Sequence, residues 1–541
     1  MTNALSKLLN PIRRNPRHYF FLVLLLLLFL TTRLWSMKEA PPSVYWDEAS
    51  IGYNAFSVSQ TLKDEWGEFL PIHFRAFGEF KLPVYIYSVV PFIKLFGLNE
   101  FSVRFPAVIY SLLSVMLVYI IGKKLGGGLM GLLSAFFLTI SPWFFIFSRT
   151  GYEATAGLAF FLMAIYLCFF CTTRKAYMLG ALFLVISIYS YNSFRIISPI
   201  VFLTATFIKA RHSLKKDLKT LLIAVIFFGV SMIPVVRLFI YDAGSGRSQA
   251  FSLIPSLRQV YDSTGNPRLQ LIFDRNADIS WLQNFKQILG NYLSHFGPGF
   301  LFSGDRNTRS QQPSFGQIYF LDVFLFIAGA LSVSKKRESK LYTVIFLFLI
   351  GIVPVALFKE APHALRSLAA VPFLVLLCSL GVNYFRERFK KFGSLIPGVI
   401  VVGYILFFEN YYLNFLEHYS FRTSQDWQYG YSQVFTKYQV EIEKHDRVVI
   451  TDEYGQPYIF ALYYLKYDPV KFISEKSLNP VNNWGFSIVK NFGKFEFRKA
   501  TKEDFGKGNL LFVTQKEAPE NLKPDSQILN LDGSTSLLVY E

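Results

Sequence analysis

Long apolar runs recur along this chain and constrain its fold more than any other feature. About eleven are long and apolar enough to cross a membrane as helices, which takes roughly 20 residues each. They lie near 18–36, 105–122, 127–144, 153–171, 176–191, 194–209, 219–240, 316–333, 341–358, 366–384 and 393–412. Only 17% of the residues are charged, against about 25% in a typical soluble domain. The sequence therefore predicts a mainly α-helical, polytopic membrane protein.

The distribution of lysine and arginine predicts the orientation of these helices. Basic residues crowd into alternate loops, and such loops usually face the cytoplasm. They are Lys123-Lys124, Arg174-Lys175, Lys209–Lys219, Lys335–Arg337 and Arg386–Lys391. Topology thus accounts for the net charge of +18, and we expect no nucleic-acid partner. The N-terminus should be cytoplasmic and the C-terminus extracytoplasmic in a plasma membrane.

Three outer regions are large in this topology: 37–104, 241–315 and 413–541. The first apolar run is followed by no small-residue cleavage site, so we expect a retained helix. Leu82–Leu98 contains two prolines and a lysine and would invert most basic loops if it crossed. We therefore predict a juxtamembrane helix along the outer surface.

The last outer region has the pattern of a small soluble α/β domain, which divides the chain into a membrane part at 1–412 and this domain at 413–541. Asp426–Lys444 is predicted to be helical. Strands are predicted at Arg447–Thr451, at Asn509–Thr514 and on both sides of the turn Asp532-Gly533.

The first outer loop carries a compact group of ionisable residues. Asp47 and Glu48 precede a helical pattern that reaches Leu62, so Asp47 could cap that helix. Glu79 and Lys81 stand before the juxtamembrane helix. The lysine could extend to lipid headgroups or bind a lipid phosphate.

Several short motifs, in this order along the chain, resemble glycosyltransferase family 39, and more closely its bacterial branch. That family includes protein O-mannosyltransferases and aminoarabinose transferases. The motifs are Asp47-Glu48, the Lys-x-Pro-x-Tyr segment at 81–85, Asn99–Pro106, Ile140–Arg149, Tyr191–Arg195, His295-Phe296, Gly304–Asn307 and His363–Ser367. The resemblance covers roughly residues 18–410.

The resemblance implies a GT-C fold and a glycosyltransferase, hexosyl or pentosyl, that takes its sugar from a polyprenyl phosphate on the outer face. Transfer goes with inversion to a protein, lipid or polysaccharide acceptor. Asp47 corresponds to the family's general base, which removes the proton of the acceptor hydroxyl. Lys81 and Arg366 correspond to cations that bind the donor phosphate.

Further polar residues are candidates for substrate binding. They are Glu48, Glu79, Arg149, Glu153, His295, Asp305, Arg306 and Asn307. Arg149 and Glu153 could instead pair on a helix surface, and the residues from His295 to Asn307 could form a structural hydrogen-bond cluster. Asp47 with Glu48 could also hold a divalent metal ion.

The chain departs from the aminoarabinose transferases at Ser50 and Phe80, where those enzymes have an arginine and an acid. The resemblance therefore indicates the donor class and not the sugar. Two other functions remain open. A flippase of lipid-linked glycans would carry ionisable residues within its spans, and a non-catalytic scaffold would act through residues 413–541.

Overall fold

The computed structural model describes residues 15–77, 80–241, 256–261, 267–272, 281–304, 307–480 and 488–541. Within these ranges, six helices are long and apolar enough to cross a membrane. The number is seven if the helical segments Pro142–Arg149 and Ala154–Phe170, which meet at a bend of 114°, count together as one span. The chain is therefore a mainly helical, multi-pass membrane protein, as predicted. The expected number of eleven spans is not confirmed.

Every predicted apolar run coincides with helical structure. The helices of the membrane part and its outer loops are α1 (Pro16–Leu34), α2 (Trp46–Thr61), α3 (Pro83–Phe96), α4 (Glu100–Ile140), α5 (Ala154–Phe170), α6 (Arg174–Ile188), α7 (Phe194–Tyr241), α8 (Trp281–Ser294), α9 (Phe320–Lys336), α10 (Ser339–Ala356), α11 (Val371–Arg388) and α12 (Ile396–Asn414). Two short hairpins complete this part: β1 (Phe74–Arg75) with β2 (Phe80–Lys81), and β3 (Ser256–Tyr261) with β4 (Pro267–Ile272).

Two pairs of predicted runs are joined rather than separated by loops. The runs at 105–122 and 127–144 both belong to α4, which is kinked where Gly126 and Gly127 leave the helical conformation. The runs at 194–209 and 219–240 both belong to α7. The basic stretch between them has neither glycine nor proline, so nothing in its sequence stops the helix.

The predicted juxtamembrane helix is present as α3. Proline occupies its first position, where the missing N–H group costs nothing, and Gly97 ends it with a φ of 76°. Its placement on the outer surface stays a prediction.

The C-terminal region forms the expected α/β domain around a seven-stranded mixed sheet. Its helices are α13 (Tyr429–Lys437), α14 (Gln439–Lys444), α15 (Pro457–Tyr464) and α16 (Pro469–Glu475). Its strands are β5 (Val448–Ile450), β6 (Ser477–Leu478), β7 (Val489–Phe492), β8 (Phe495–Phe497), β9 (Leu510–Val513), β10 (Ser526–Leu529) and β11 (Thr535–Tyr540). The strand order is β10-β11-β9-β5-β8-β7-β6, and β5 runs parallel to both neighbours.

The structure confirms β5, β9 and the β10–β11 hairpin as predicted strands. The predicted helix at 426–444 is two helices, which meet at Tyr438. Helical structure after α12 continues to Thr423, beyond the expected start of the domain at 413.

The C-terminal domain and the first outer loop share one hydrophobic core. Ala49 and Tyr53 of α2 are buried in the same cluster as Ile459 and Tyr463 of α15. The contact is tight at Gly52, where an added Cβ would lie 2.7 Å from the Tyr463 ring. The helix α2, which begins at Trp46, thus packs directly against the C-terminal domain.

Candidate functional site

Asp47 lies in the first turn of α2, where it is 23% exposed. The helix begins at Trp46, and the N-cap is Tyr45, with extended backbone and no capping hydrogen bond from a side chain. Asp47 therefore lies two residues after the N-cap, and the expectation that it caps the helix is wrong. Its side chain is instead available to the residues that surround the helix start.

Lys81 reaches Asp47 from the short β1–β2 hairpin. Its Nζ lies 2.5 Å from Asp47 Oδ1, and its side chain is only 5% exposed. Burial against a carboxylate replaces the expected extension toward headgroups. Two residues 34 positions apart, which the resemblance assigns to one reaction, are thus in direct contact.

Glu48 faces the opposite way and is completely buried. Its carboxylate makes a two-point ion pair with Arg104 of α4, at 3.0 and 2.9 Å, and accepts the Gly151 N–H at 2.6 Å. Arg104 also donates to the carbonyls of Met37 and Ser43. In this structure Glu48 fastens α2 to α4, and this geometry does not support the expected contact with substrate.

Arg309 is a neighbour of Asp47 that the sequence analysis missed. Its guanidinium lies over the rings of Tyr45 and Trp46, 5.0 and 5.6 Å from their centroids. Burial opposes its charge, but Tyr152, Tyr45 and Asp47 together raise the pKa of Arg309. The motif Gly304–Asn307, two residues earlier, was the available signal.

The other expected residues of the outer region 241–315 make contacts with the backbone. Asn307 accepts the Arg309 N–H at 3.1 Å and so shapes that turn. His295 is buried, with Nδ1 2.9 Å from the Asn291 carbonyl and Nε2 accepting the His363 N–H at 3.2 Å. Burial lowers the pKa of His295 to about 4, as suits a neutral structural group. Glu79, Asp305 and Arg306 lie outside the described residues.

Arg366 lies in the loop between α10 and α11, where it donates to Glu360 at 2.7 Å. Two hydrogen bonds to backbone carbonyls connect the Arg366 loop with the segment that follows Lys81. Ser193 Oγ donates to the Arg366 carbonyl at 3.0 Å, and the Val84 N–H donates to the Tyr189 carbonyl at 3.4 Å. The turn between α6 and α7 therefore touches both segments that carry the expected phosphate ligands.

Arg149 and Glu153 do not form the pair considered from the sequence. The chain turns between them, because α5 starts only at Ala154 and Thr150 has extended backbone. Arg149 is fully buried and donates to the carbonyls of Thr32, Trp35 and Ser36, which close the end of α1. Glu153 stands at the N-cap position of α5.

A divalent metal ion held by Asp47 and Glu48 does not fit these contacts. Lys81 occupies one carboxylate, and Arg104 with Gly151 occupies the other. Among the described residues, no three histidine, cysteine or acidic side chains lie close enough together to bind a metal.

Comparison with known proteins agrees with this fold. The family described as dolichyl-phosphate-mannose-protein mannosyltransferase matches residues 81–235. ArnT from Cupriavidus metallidurans, solved bound to undecaprenyl phosphate, is 10% identical, with a TM-score of 0.51 over 92% of this chain and 93% of that one. No curated protein sequence matches the chain.

The chain is also similar to the archaeal oligosaccharyltransferase AglB from Archaeoglobus fulgidus, solved with an inhibitory peptide and a dolichol-phosphate. Identity is 12% and the TM-score 0.49, over 84% of this chain and 64% of that one, so the chain spans less than two thirds of that protein. The architecture is that of a GT-C membrane protein. The family match over residues 81–235 and the fold agree with the resemblance found in the sequence.

Proposed function

We propose that this protein is a membrane glycosyltransferase that moves a sugar from a polyprenyl-phosphate donor to an acceptor hydroxyl on the outer face of the membrane, with inversion. The contact between Asp47 and Lys81 carries the proposal. In this contact a partly exposed carboxylate lies beside a buried cation. The family match and the polyprenyl phosphates bound to similar structures support the donor class.

The donor phosphate requires cations, because charge develops on it as the sugar leaves. Lys81 supplies one. Arg366 supplies a second, since its Nη2 is engaged by Glu360 while its buried Nη1 has no partner among the described residues. A guanidinium with a free N–H suits a phosphate oxygen.

Asp47 acts as the base. Its carboxylate takes the proton of the acceptor hydroxyl as the hydroxyl oxygen bonds to the anomeric carbon. The bond from that carbon to the phosphate oxygen breaks, and its electron pair leaves with the polyprenyl phosphate. Attack from the face opposite the phosphate inverts the anomeric centre. The Lys81 ammonium attracts the donor phosphate, just as it attracts the Asp47 carboxylate. A bound donor therefore weakens the ion pair and leaves the Asp47 carboxylate able to accept a proton.

The test uses purified protein in proteoliposomes with polyprenyl-phosphate mannose, glucose or aminoarabinose, adds an envelope extract of the host as the source of acceptor hydroxyls, and measures released polyprenyl phosphate. Asp47→Asn and Lys81→Met form a matched pair, because each breaks the same ion pair. Asp47→Asn should lower turnover by about 100-fold or more and still bind donor. Lys81→Met should weaken donor binding.

Full turnover in Asp47→Asn would refute the assignment of the base. Movement of a labelled donor across the bilayer, at the same rate in wild type and Asp47→Asn, would favour the flippase alternative.

A further inference from the structure

We propose that Gln428 is a positioning residue for Asp47, so that the C-terminal domain belongs to the catalytic scaffold. This inference rests on the proposed function of Asp47. Gln428 lies between α12 and α13, 382 residues after Trp46 in the sequence, yet its side chain meets the start of α2.

The Gln428 amide joins three backbone groups. Its Oε1 accepts the N–H of Trp46 at 3.0 Å, while its Nε2 donates to the carbonyls of Tyr454 at 2.7 Å and Gly455 at 3.0 Å. Trp46 is the first residue of α2, and its N–H has no partner within the helix. One buried side chain thus connects the domain to the residue before Asp47.

The segment around Gln428 is itself held firmly. Gln428 has a φ of 53°, and its N–H donates to Gln425 at 2.9 Å. The preceding Trp427 is fully buried, its carbonyl accepts a hydrogen bond from Ser43, and its ring meets Tyr45 edge to face at 5.4 Å. These contacts fix the register between the domain and the chain entering α2.

A second contact restrains Trp46 through its ring. A Cβ added at Gly455 would lie 2.5 Å from the Trp46 ring, so the loop at 454–455 presses directly on it. The backbone and the side chain of Trp46 are both fixed by the domain. Asp47 follows immediately, so any shift of this loop moves the carboxylate relative to Lys81.

The test compares Gln428→Ala with Ser420→Ala in the full chain. Ser420 Oγ also joins this region to the first outer loop, by donating to the Glu39 carbonyl at 2.7 Å, but Glu39 precedes α2 in the chain. Gln428→Ala should lower maximal turnover of a polyprenyl-phosphate sugar by about 10–100-fold, because small misplacements of a reacting group have effects of this size. The KM for the donor should not change, and Ser420→Ala should behave as wild type.

Hydrogen exchange supplies a readout that needs no activity. The peptide containing Trp46 and Asp47 should exchange faster in Gln428→Ala and be unchanged in Ser420→Ala. Unchanged exchange or unchanged turnover in Gln428→Ala would overturn the proposal. A loss of turnover in Ser420→Ala as large as that in Gln428→Ala would overturn it too. If Gln428→Ala does not fold, Gly455→Ala perturbs the second contact, the one with the Trp46 ring, and must lower turnover. If wild type releases no polyprenyl phosphate, the proposed function fails, and exchange still decides whether Gln428 holds α2.

Discussion

Asp47 and Glu48 are adjacent acids with opposite environments. Successive residues of a helix point about 100° apart, so one carboxylate faces the partly open side of α2 and the other faces α4. The sequence showed both acids but not which one was enclosed. Arg104, which encloses Glu48, is 56 residues away, and no local pattern indicates that pairing.

We expect Glu48→Gln to destabilise the protein rather than act on the chemistry. Removing one charge of a fully buried ion pair typically costs roughly 3–5 kcal/mol, and Arg104 would keep its charge with both partners at 0% exposure. The melting temperature of purified protein should fall clearly. The exposed pair of Lys336 and Glu387 supplies the control, since Glu387→Gln should change stability by no more than about 1 kcal/mol. Equal melting of Glu48→Gln and wild type would contradict this role.

Glu65 gives the interface between the first outer loop and the C-terminal domain a pH dependence. Burial raises the pKa of Glu65 from 4.5 to about 8, although the Asn54 amide opposes this shift. The Lys476 ammonium, whose pKa burial lowers, donates to the Glu65 carbonyl at 2.7 Å. The folded state favours the protonated Glu65 carboxyl. The contribution of Glu65 to the free energy of unfolding is therefore complete below pH 4.5 and is lost as pH rises through 8.

Melting curves at pH 5 and pH 9 test this expectation. Wild type should lose more stability between these values than Glu65→Gln, which cannot ionise there. A parallel loss in both proteins would assign the pH dependence to other groups, of which Asp64 and Lys476 are the nearest.

At the scale of elements, the apolar runs predicted helices well, because a backbone in lipid must satisfy its own hydrogen bonds. They predicted helix ends less well. The two apolar runs that form the single helix α7 show why, because a basic stretch between them does not end the helix. The missed strands β6–β8 show the same, because a strand of two to four residues gives too short a pattern to predict. Packing decides these ends.

Two helices of the membrane part, α9 and α11, approach each other closely at two glycines. A Cβ on Gly329 would lie 2.0 Å from the Leu377 carbonyl oxygen, and a Cβ on Gly381 would lie 2.0 Å from that of Leu325. Small residues permit such an approach in membranes. Gly329→Val should force the helices apart and lower the melting temperature markedly. Gly398→Val should change the melting temperature little, because no described residue beyond its own helix turn lies within 4 Å of a Cβ added there. Similar losses in both variants would refute the close contact as the cause.

At the scale of the whole molecule, the sequence predicted the membrane part, the C-terminal domain and the fold class. It did not predict that the domain shares a core with α2, because the residues that meet there come from opposite ends of the chain. The boundary expected at 413 reflects a change in composition. The packing instead unites the first outer loop with residues beyond 423.

The predicted orientation can be tested by cysteine labelling in a background without Cys168, Cys171 and Cys378. Asp532→Cys should react with a membrane-impermeant maleimide in intact cells. Lys336→Cys should react only after the membrane is opened. The reverse pattern would place the C-terminal domain in the cytoplasm and remove the basis for an outward-facing site.

The hydrogen bond between Trp46 and Gln428 has a consequence for biosynthesis. A ribosome adding roughly 5–20 residues per second needs about 20–75 seconds to cover the 382 residues between them. During that interval α2 has been synthesised, but the C-terminal domain on which it packs has not. The start of α2 therefore gains this hydrogen bond only after the chain has been made as far as residue 428.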